Sequence, residues 1–358
     1  MRHLATIREV SEIRPIEGRD RIVLATVDGW HVIVTKDDFH VGTKCVYIEI
    51  DSVLPEKPEF EFLRTKKFRI RTMKMAGVIS QGICFPLSIL PPKPDGTEYE
   101  IGEDVTDIIG VKQYEETMDN DKEVATIKNK KKYPAFLMRF KWFRDRVLPK
   151  KKGGFPSFIS KTDEERIQNM PWILENKQEW IATEKIDGQS GTFALVKHKG
   201  WFRTTYEYIV CSRNLRLNSK DNSSYWQVSD KYQIENALRN MIGDREWIAI
   251  QGECIGPKIQ KNKYGVNECD LYVFNLLYPT GRVGSRLAKS ICENKGFNFV
   301  PILDEHVILP DTVDEVLTYA HGKSQLADTI REGIVFRTKD GKQSFKAVDP
   351  EFLIKWSE

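Results

Sequence analysis

Residues 22–34 read Ile-Val-Leu-Ala-Thr-Val-Asp-Gly-Trp-His-Val-Ile-Val, two β-branched runs on either side of Asp28-Gly29. Asp-Gly supplies the positive φ that a tight turn between right-twisted strands demands, so this stretch predicts a β-hairpin. Residues 45–54 form a further apolar run closed by Pro55, and residues 78–85 another closed by Pro86. Proline has no N–H to give a ladder, so each run should end there as a short strand. About five short strands with Gly and Pro punctuation fit a small β-barrel over residues 1–110.

The composition then changes. Residues 128–152 carry eleven Lys or Arg residues against one acid, Asp145, with Tyr133, Phe136, Phe140, Trp142 and Phe143 interleaved. Pro134 suits the start of a helix and Pro149 its end. Cations with aromatics suit a phosphate backbone and unstacked bases, although an interdomain helix with solvated lysines has the same composition. Residues 111–152 therefore stand apart as a basic, aromatic-rich connecting segment. Gly153-Gly154 marks the junction to a second domain over 153–358. There, strand patterns near 181–186, 191–196, 208–212, 247–252, 271–277 and 333–337 mix with helical patterns near 230–242, 284–296 and 313–320. At 358 residues the chain is long enough for two domains with a core each.

Hydropathy and charge exclude several classes. No run approaches roughly eighteen apolar residues, so no segment is expected to span a membrane. Arg2 and His3 precede any apolar stretch, which predicts no secretory signal. Cys45, Cys84, Cys211, Cys254, Cys269 and Cys292 are scattered, with no C-x-x-C pair, so neither a disulfide framework nor a zinc knuckle is expected. The net charge of +3 is too small to identify a partner. These features together predict a soluble, intracellular protein, expected to be a monomer.

Chemistry concentrates in the second domain. Glu184-Lys185-Ile186-Asp187-Gly188 contains Lys-x-Asp-Gly, which by itself is a weak signal because Asp-Gly is also a favoured turn pair. The series of motifs downstream is far more specific. Ser212-Arg213-Asn214 succeeds a strand pattern, Gln251-Gly252-Glu253 ends an apolar run, and Tyr272-Val273-Phe274 places an aromatic on another strand. Glu332-Gly333-Ile334-Val335 and then Ser344-Phe345-Lys346 complete the series. These six motifs, in this order, resemble the covalent nucleotidyltransferase superfamily of ATP-dependent DNA and RNA ligases and GTP-dependent capping enzymes. The resemblance implies an α+β chain: an amino-terminal OB-type β-barrel, then a nucleotidyltransferase domain of ATP-grasp-like antiparallel sheets with flanking helices.

It also implies a role for each residue. Lys185 is the nucleophile that attacks the α-phosphorus of ATP and holds AMP as a phosphoramidate. A free lysine is protonated at neutral pH, so its pKa must be lowered or its ammonium discharged nearby. A divalent cation, Mg2+ or Mn2+, would favour the neutral amine and stabilise charge on the phosphoryl oxygens. Asp187, Glu253 and Glu332 are the positions that surround such a metal or the ribose. Lys346 corresponds to the lysine that contacts the α-phosphate and helps expel pyrophosphate. Phe274 would stack on the purine with Val335 over its other face, Glu184 would accept from the adenine amino group, and Arg213 would hold ribose or an acceptor phosphate. Ile186 and Gly188 complete the nucleotide-binding set.

The order of the domains narrows the branch. Twelve residues follow Lys346, too few for the carboxy-terminal OB domain that DNA ligases and capping enzymes usually carry. The barrel comes first instead. Its Arg14-Pro15-Ile16-Glu17-Gly18-Arg19-Asp20-Arg21 and Val46-Tyr47-Ile48-Glu49-Ile50-Asp51-Ser52-Val53-Leu54-Pro55 resemble the amino-terminal module of ATP-dependent RNA ligases that seal 3′-OH/5′-phosphate nicks. This resemblance implies RNA repair on a nicked duplex with an RNA 3′-OH strand, and gives Lys161 and Arg166 the task of orienting the β and γ phosphates. One departure stands out. Many superfamily members end in Lys-x-Lys, whereas Lys346 is followed by Ala347-Val348, so the second lysine is Lys355 or is absent. The competing readings are a nucleic-acid-binding protein with an inactive transferase domain, a DNA ligase, and a guanylyltransferase.

Overall fold

The computed structural model describes residues 3–114, 153–217 and 220–356. The basic aromatic stretch 128–152, with the helix expected between Pro134 and Pro149, lies outside the described residues.

The amino-terminal sheet has the order Trp30–Thr35, Arg19–Val27, Ala5–Ile16, Lys44–Ile48, Ile83–Pro86, all antiparallel. The hairpin turns at Asp28-Gly29, with Asp28 at φ 50°. Gln81 N–H donates to the His31 carbonyl (2.8 Å) and Ile33 N–H to the Ser80 hydroxyl (3.0 Å), which draws the two ends of the sheet together into a barrel. Ala5, Ile7, Trp30, Val46, Tyr47 and Ile48 fill its core. Two stretches that read as single strands are each divided. The 45–54 run breaks at Asp51 (φ 64°) into Lys44–Ile48 and Ser52–Val53. The 78–85 run breaks at Gly82 (φ 92°), where a Cβ would stand 2.6 Å from the Tyr47 ring.

The second domain consists of two sheets. The larger runs Gly153–Gly154, Leu215–Leu217, Thr204–Cys211, Gln189–Lys199, Trp247–Ile255, Asp270–Tyr278, Gly281–Arg282, with Asn298–Phe299 parallel to Asp270–Tyr278. Gly153–Gly154 is thus a strand of this sheet rather than a bare junction. The smaller runs Ile302–Ile308, Glu179–Lys185, Gly333–Thr338, Ser344–Val348. The expected helix 230–242 is interrupted by Gln233 (φ 46°), giving Ser224–Lys231 and Ile234–Met241. Ser285–Glu293 and Val313–Ala320 form near their expected places, the latter opened by a capping box between Thr312 and Glu315. Among the described residues no helix is long and apolar enough to cross a membrane.

The short link Ile186-Asp187-Gly188 carries the chain from the smaller sheet to the larger. Polar residues at the ends of both sheets therefore meet at one cleft. The barrel closes a third side through residues 166–169: Gly29 N–H donates to the Gln168 carbonyl (3.0 Å), and Trp30 Nε1 to Asn169 Oδ1 (2.7 Å).

Candidate active site

A cleft of about 1320 Å3 lies between the two sheets and the barrel. Its wall includes Glu184, Lys185, Ile186, Asp187, Gly188, Arg213, Glu253, Phe274, Glu332, Val335, Lys346 and Arg166, so the structure brings together twelve of the thirteen site residues expected from sequence. Lys161 is the exception: it is exposed, bonds Asn214 Oδ1 at 3.4 Å, and does not line the cleft.

Lys185 ends the strand Glu179–Lys185, and its Nζ donates to Glu332 Oε2 at 2.6 Å. Burial alone would favour the neutral amine, but Glu332, Glu253 and Asp187 outweigh it and raise the lysine above its ordinary value. The expectation of a lowered lysine pKa is therefore not met by the protein groups alone. The acids show the complementary strain. Burial first, then the neighbouring Glu332 charge, pushes Asp187 up to about 6. Burial also pushes Glu253 up to about 7, although the Lys185 ammonium works against this. Glu253 accepts from Gly188 N–H (3.1 Å) and from the Ser190 hydroxyl (2.9 Å). Gly188 has no alternative, because a Cβ there would lie 2.3 Å from the Cys254 carbonyl oxygen.

Asp187, Glu253 and Glu332 are hard oxygen donors in the cleft of the kind that suits a divalent cation, and burial, with neighbouring acid charge behind it, raises Asp187 and Glu253. Each is also engaged by protein: Glu332 by Lys185, Glu253 by Gly188 and Ser190, and Asp187 by Lys263. Among the described residues no three His, Cys, Asp or Glu side chains stand in a ready-made metal cage.

Phe274 on the larger sheet and Val335 on the smaller both line the cleft. Glu184 is buried, accepting from the Ser324 hydroxyl (2.5 Å) and Gln325 N–H (2.8 Å), with burial raising its carboxyl above the usual range. Arg213 is exposed and paired with Asp163. Arg166 is buried, within 3.3 Å of Asp51 and over the Trp30 ring at 5.8 Å, so it joins barrel to cleft. Lys355 does not line the cleft; its Nζ lies over the Trp356 ring.

Several further residues belong to the cleft that the motifs do not mark. Arg69 and Arg71, from the barrel, line it on either side of buried Ile70. Their two-residue spacing is the available signal, since alternate strand residues share a face. Arg337 bonds Thr183 Oγ1 (3.1 Å) and Glu164 (3.3 Å), lies 6.0 Å from the Phe274 ring, and is pushed down to about 10 by burial. Glu164 also accepts from Ser344 (2.6 Å) and Arg282 (3.3 Å), fastening the segment before the nucleophile strand to the strand that carries Lys346. Lys263 has no sequence signal beyond its charge.

Comparison with known proteins matches both parts of the chain. A family model described as an OB-fold domain matches residues 4–87, and one described as RNA ligase matches residues 178–356. A search of curated proteins finds no match. Among solved structures, a point mutant of Naegleria gruberi RNA ligase with ATP and Mn is 30% identical, covers 100% of both chains and has a TM-score of 0.81. Another mutant of that ligase, with AMP and Mn, is 31% identical over 98% of each chain with a TM-score of 0.80. The same ligase with PPi is 30% identical, over 99% of this chain and 98% of that one, with a TM-score of 0.80. With an OB-fold barrel, a two-sheet domain around Lys185 and this whole-length likeness, the chain belongs to the RNA ligase family.

Proposed function

We propose that this chain seals 3′-OH/5′-phosphate nicks in duplexes with an RNA 3′-OH strand, using ATP and a lysyl-AMP intermediate. The observation that carries this reading is Lys185 Nζ, 2.6 Å from Glu332, in a cleft shared with Asp187, Glu253 and Lys346. The likeness to a ligase solved with ATP, AMP, Mn and PPi supports it.

In the first step Lys185 Nζ gives up a proton, with Glu332 the acceptor in reach, and its lone pair attacks the α-phosphorus. The N–P bond forms as the bond to pyrophosphate breaks. Phe274 and Val335 clamp the purine, and Lys346 neutralises the α-phosphate. Arg166, with Arg69 and Arg71 from the barrel, supplies positive charge for the outer phosphates or the nucleic-acid backbone. Asp187, Glu253 and Glu332 would hold a divalent cation, which when bound would offset their pull on the Lys185 proton and polarise the phosphoryl oxygens. In the second step a 5′-phosphate oxygen attacks the AMP phosphorus and Lys185 leaves, regaining its proton. In the third the 3′-OH attacks that activated phosphate, the phosphodiester forms, and AMP departs.

Incubation with α-32P-ATP and a divalent cation, followed by denaturing electrophoresis, tests the first step. A labelled band is expected, and Lys185→Ala should abolish it. Label from GTP alone would move the assignment to capping chemistry. No label in a folded preparation free of bound AMP would leave a nucleic-acid-binding protein with an inactive transferase domain.

A further inference from the structure

We infer that Lys263 is a second α-phosphate-binding cation, acting beside Lys346 and replacing the lysine that Val348 does not provide; this rests on the ATP-dependent reading above. Val348 and Lys263 line the same cleft although 85 residues separate them in sequence. Val348 is 1% exposed on the strand Ser344–Val348 and can offer a phosphate nothing but methyl groups. The Lys263 side chain is 6% exposed and pairs with Asp187, two residues beyond the nucleophile. Its Nζ lies 4.8 Å from the Phe352 ring centroid and 5.2 Å from that of Trp356, both on the helix that follows Val348.

A buried ammonium is expensive to maintain, and the local backbone adds to that cost. Gln260, Lys261 and Asn262, which lead into Lys263, all have positive φ, at 45°, 57° and 47°. Side-chain-bearing residues rarely adopt that conformation, and three in succession are rarer still. Such strain is retained where it places a group that function needs. The group placed here is a cation, paired with Asp187 two residues beyond the reacting lysine, in a cleft that also holds Lys185 and Lys346. Asp187 keeps it positioned, and the two aromatic faces stabilise its charge while excluding water.

The test is equilibrium binding by calorimetry in a Lys185→Met background with EDTA present, so that neither chemistry nor metal contributes. AMP carries one phosphate, at the α position, and adenosine carries none. Lys263→Met should weaken AMP and ATP by roughly ten- to hundredfold, the loss of one charge-assisted hydrogen bond. Adenosine affinity should stay unchanged, and Lys263→Arg should retain most of the AMP affinity. Adding Val348→Lys to Lys263→Met should restore AMP binding, because the ammonium returns to the same cleft. Thermal melting checks that each variant folds; if Lys263→Met does not, Lys263→Gln is compared with Lys263→Arg. Unchanged AMP affinity would overturn the assignment, as would an equal weakening of AMP and adenosine, which would mark a merely structural ion pair. A parent chain that takes no label from ATP would instead refute the adenylylation reading itself.

Discussion

Glu253 shows what burial in the cleft does to a single carboxyl. Burial pushes it up to about 7 from an ordinary 4.5. The folded chain therefore binds this proton more tightly than the unfolded chain does. Its contribution to stability is fully present below the ordinary value and is lost as pH rises through about 7. In EDTA, the melting temperature should fall between about pH 5 and 7.5, and Glu253→Gln should flatten that decline, as read by calorimetry at several pH values. Parallel declines in parent and variant would rule Glu253 out as the source. At this scale the sequence is most legible where chemistry sits in short motifs. Lys185, Asp187 and Gly188 are near neighbours in the chain, so the strand-to-strand link that unites them needs no tertiary information. Lys263 and Arg337 belong to the cleft only because the fold brings distant segments there, and a lone basic residue in a loop or strand gives no hint of that. Lys161 errs in the other direction: its neighbour Arg166 turns into the cleft while Lys161 is exposed outside it.

Elements form where local preference and burial agree. Val313–Ala320 illustrates this, since Thr312 accepts from Glu315 N–H (3.2 Å) and the Glu315 carboxylate accepts from Thr312 N–H (3.0 Å). This reciprocal cap closes the helix at its amino terminus without help from the rest of the fold. Thr312→Ala should cost about 1 kcal/mol, roughly 2–4 °C in melting temperature for a domain of this size, with lysine labelling unchanged. A loss confined to labelling would contradict a purely capping role. The Asp28-Gly29 hairpin is legible for the same reason, because turn chemistry and flanking patterns coincide. The run 45–54 reads as one strand because its apolar residues hide a tertiary demand: Glu49 is buried to receive Asn169 (2.7 Å) and Arg8 (3.3 Å). Two residues on, where the run breaks at positive φ, Asp51 N–H donates to the Ile70 carbonyl (3.0 Å). Ala5–Ile16 and Ile302–Ile308 are hidden because charged residues interrupt their alternation. Both are nevertheless held in place by ladders, on two sides for the first and along one edge for the second.

At the scale of the whole molecule, residues 166–169 tie nucleotide chemistry to the barrel. Arg166 forms a backbone bridge to Lys346, and Lys346 N–H donates to the Glu165 carbonyl (2.7 Å), so this segment runs beside the strand that carries a proposed phosphate ligand. Ile167 is buried in the core of the second domain, while Gln168 and Asn169 face the barrel. Asn169 accepts from Trp30 Nε1 (2.7 Å) and Arg8 Nη1 (3.1 Å) and donates to Glu49 (2.7 Å), which makes it the polar centre of the junction. His31 adds a bond to Asp314 (2.7 Å) within the same contact. None of this is legible in the sequence, since each partner is an ordinary polar residue until the domains meet. Asn169→Leu would strip an acceptor from Trp30 and Arg8 and a donor from Glu49, leaving buried polar groups that cost about 1–3 kcal/mol each. Lys185 and its carboxylates lie wholly within the second domain, so labelling from ATP should survive. Arg69, Arg71 and Asp51 reach the cleft from the barrel, so sealing of a nicked RNA duplex should fall once the barrel detaches. Calorimetry should then show the barrel melting below the second domain. Loss of labelling in step with sealing would instead mean that the barrel is needed already for nucleotide transfer to Lys185, with Arg69 and Arg71 serving the triphosphate rather than the RNA.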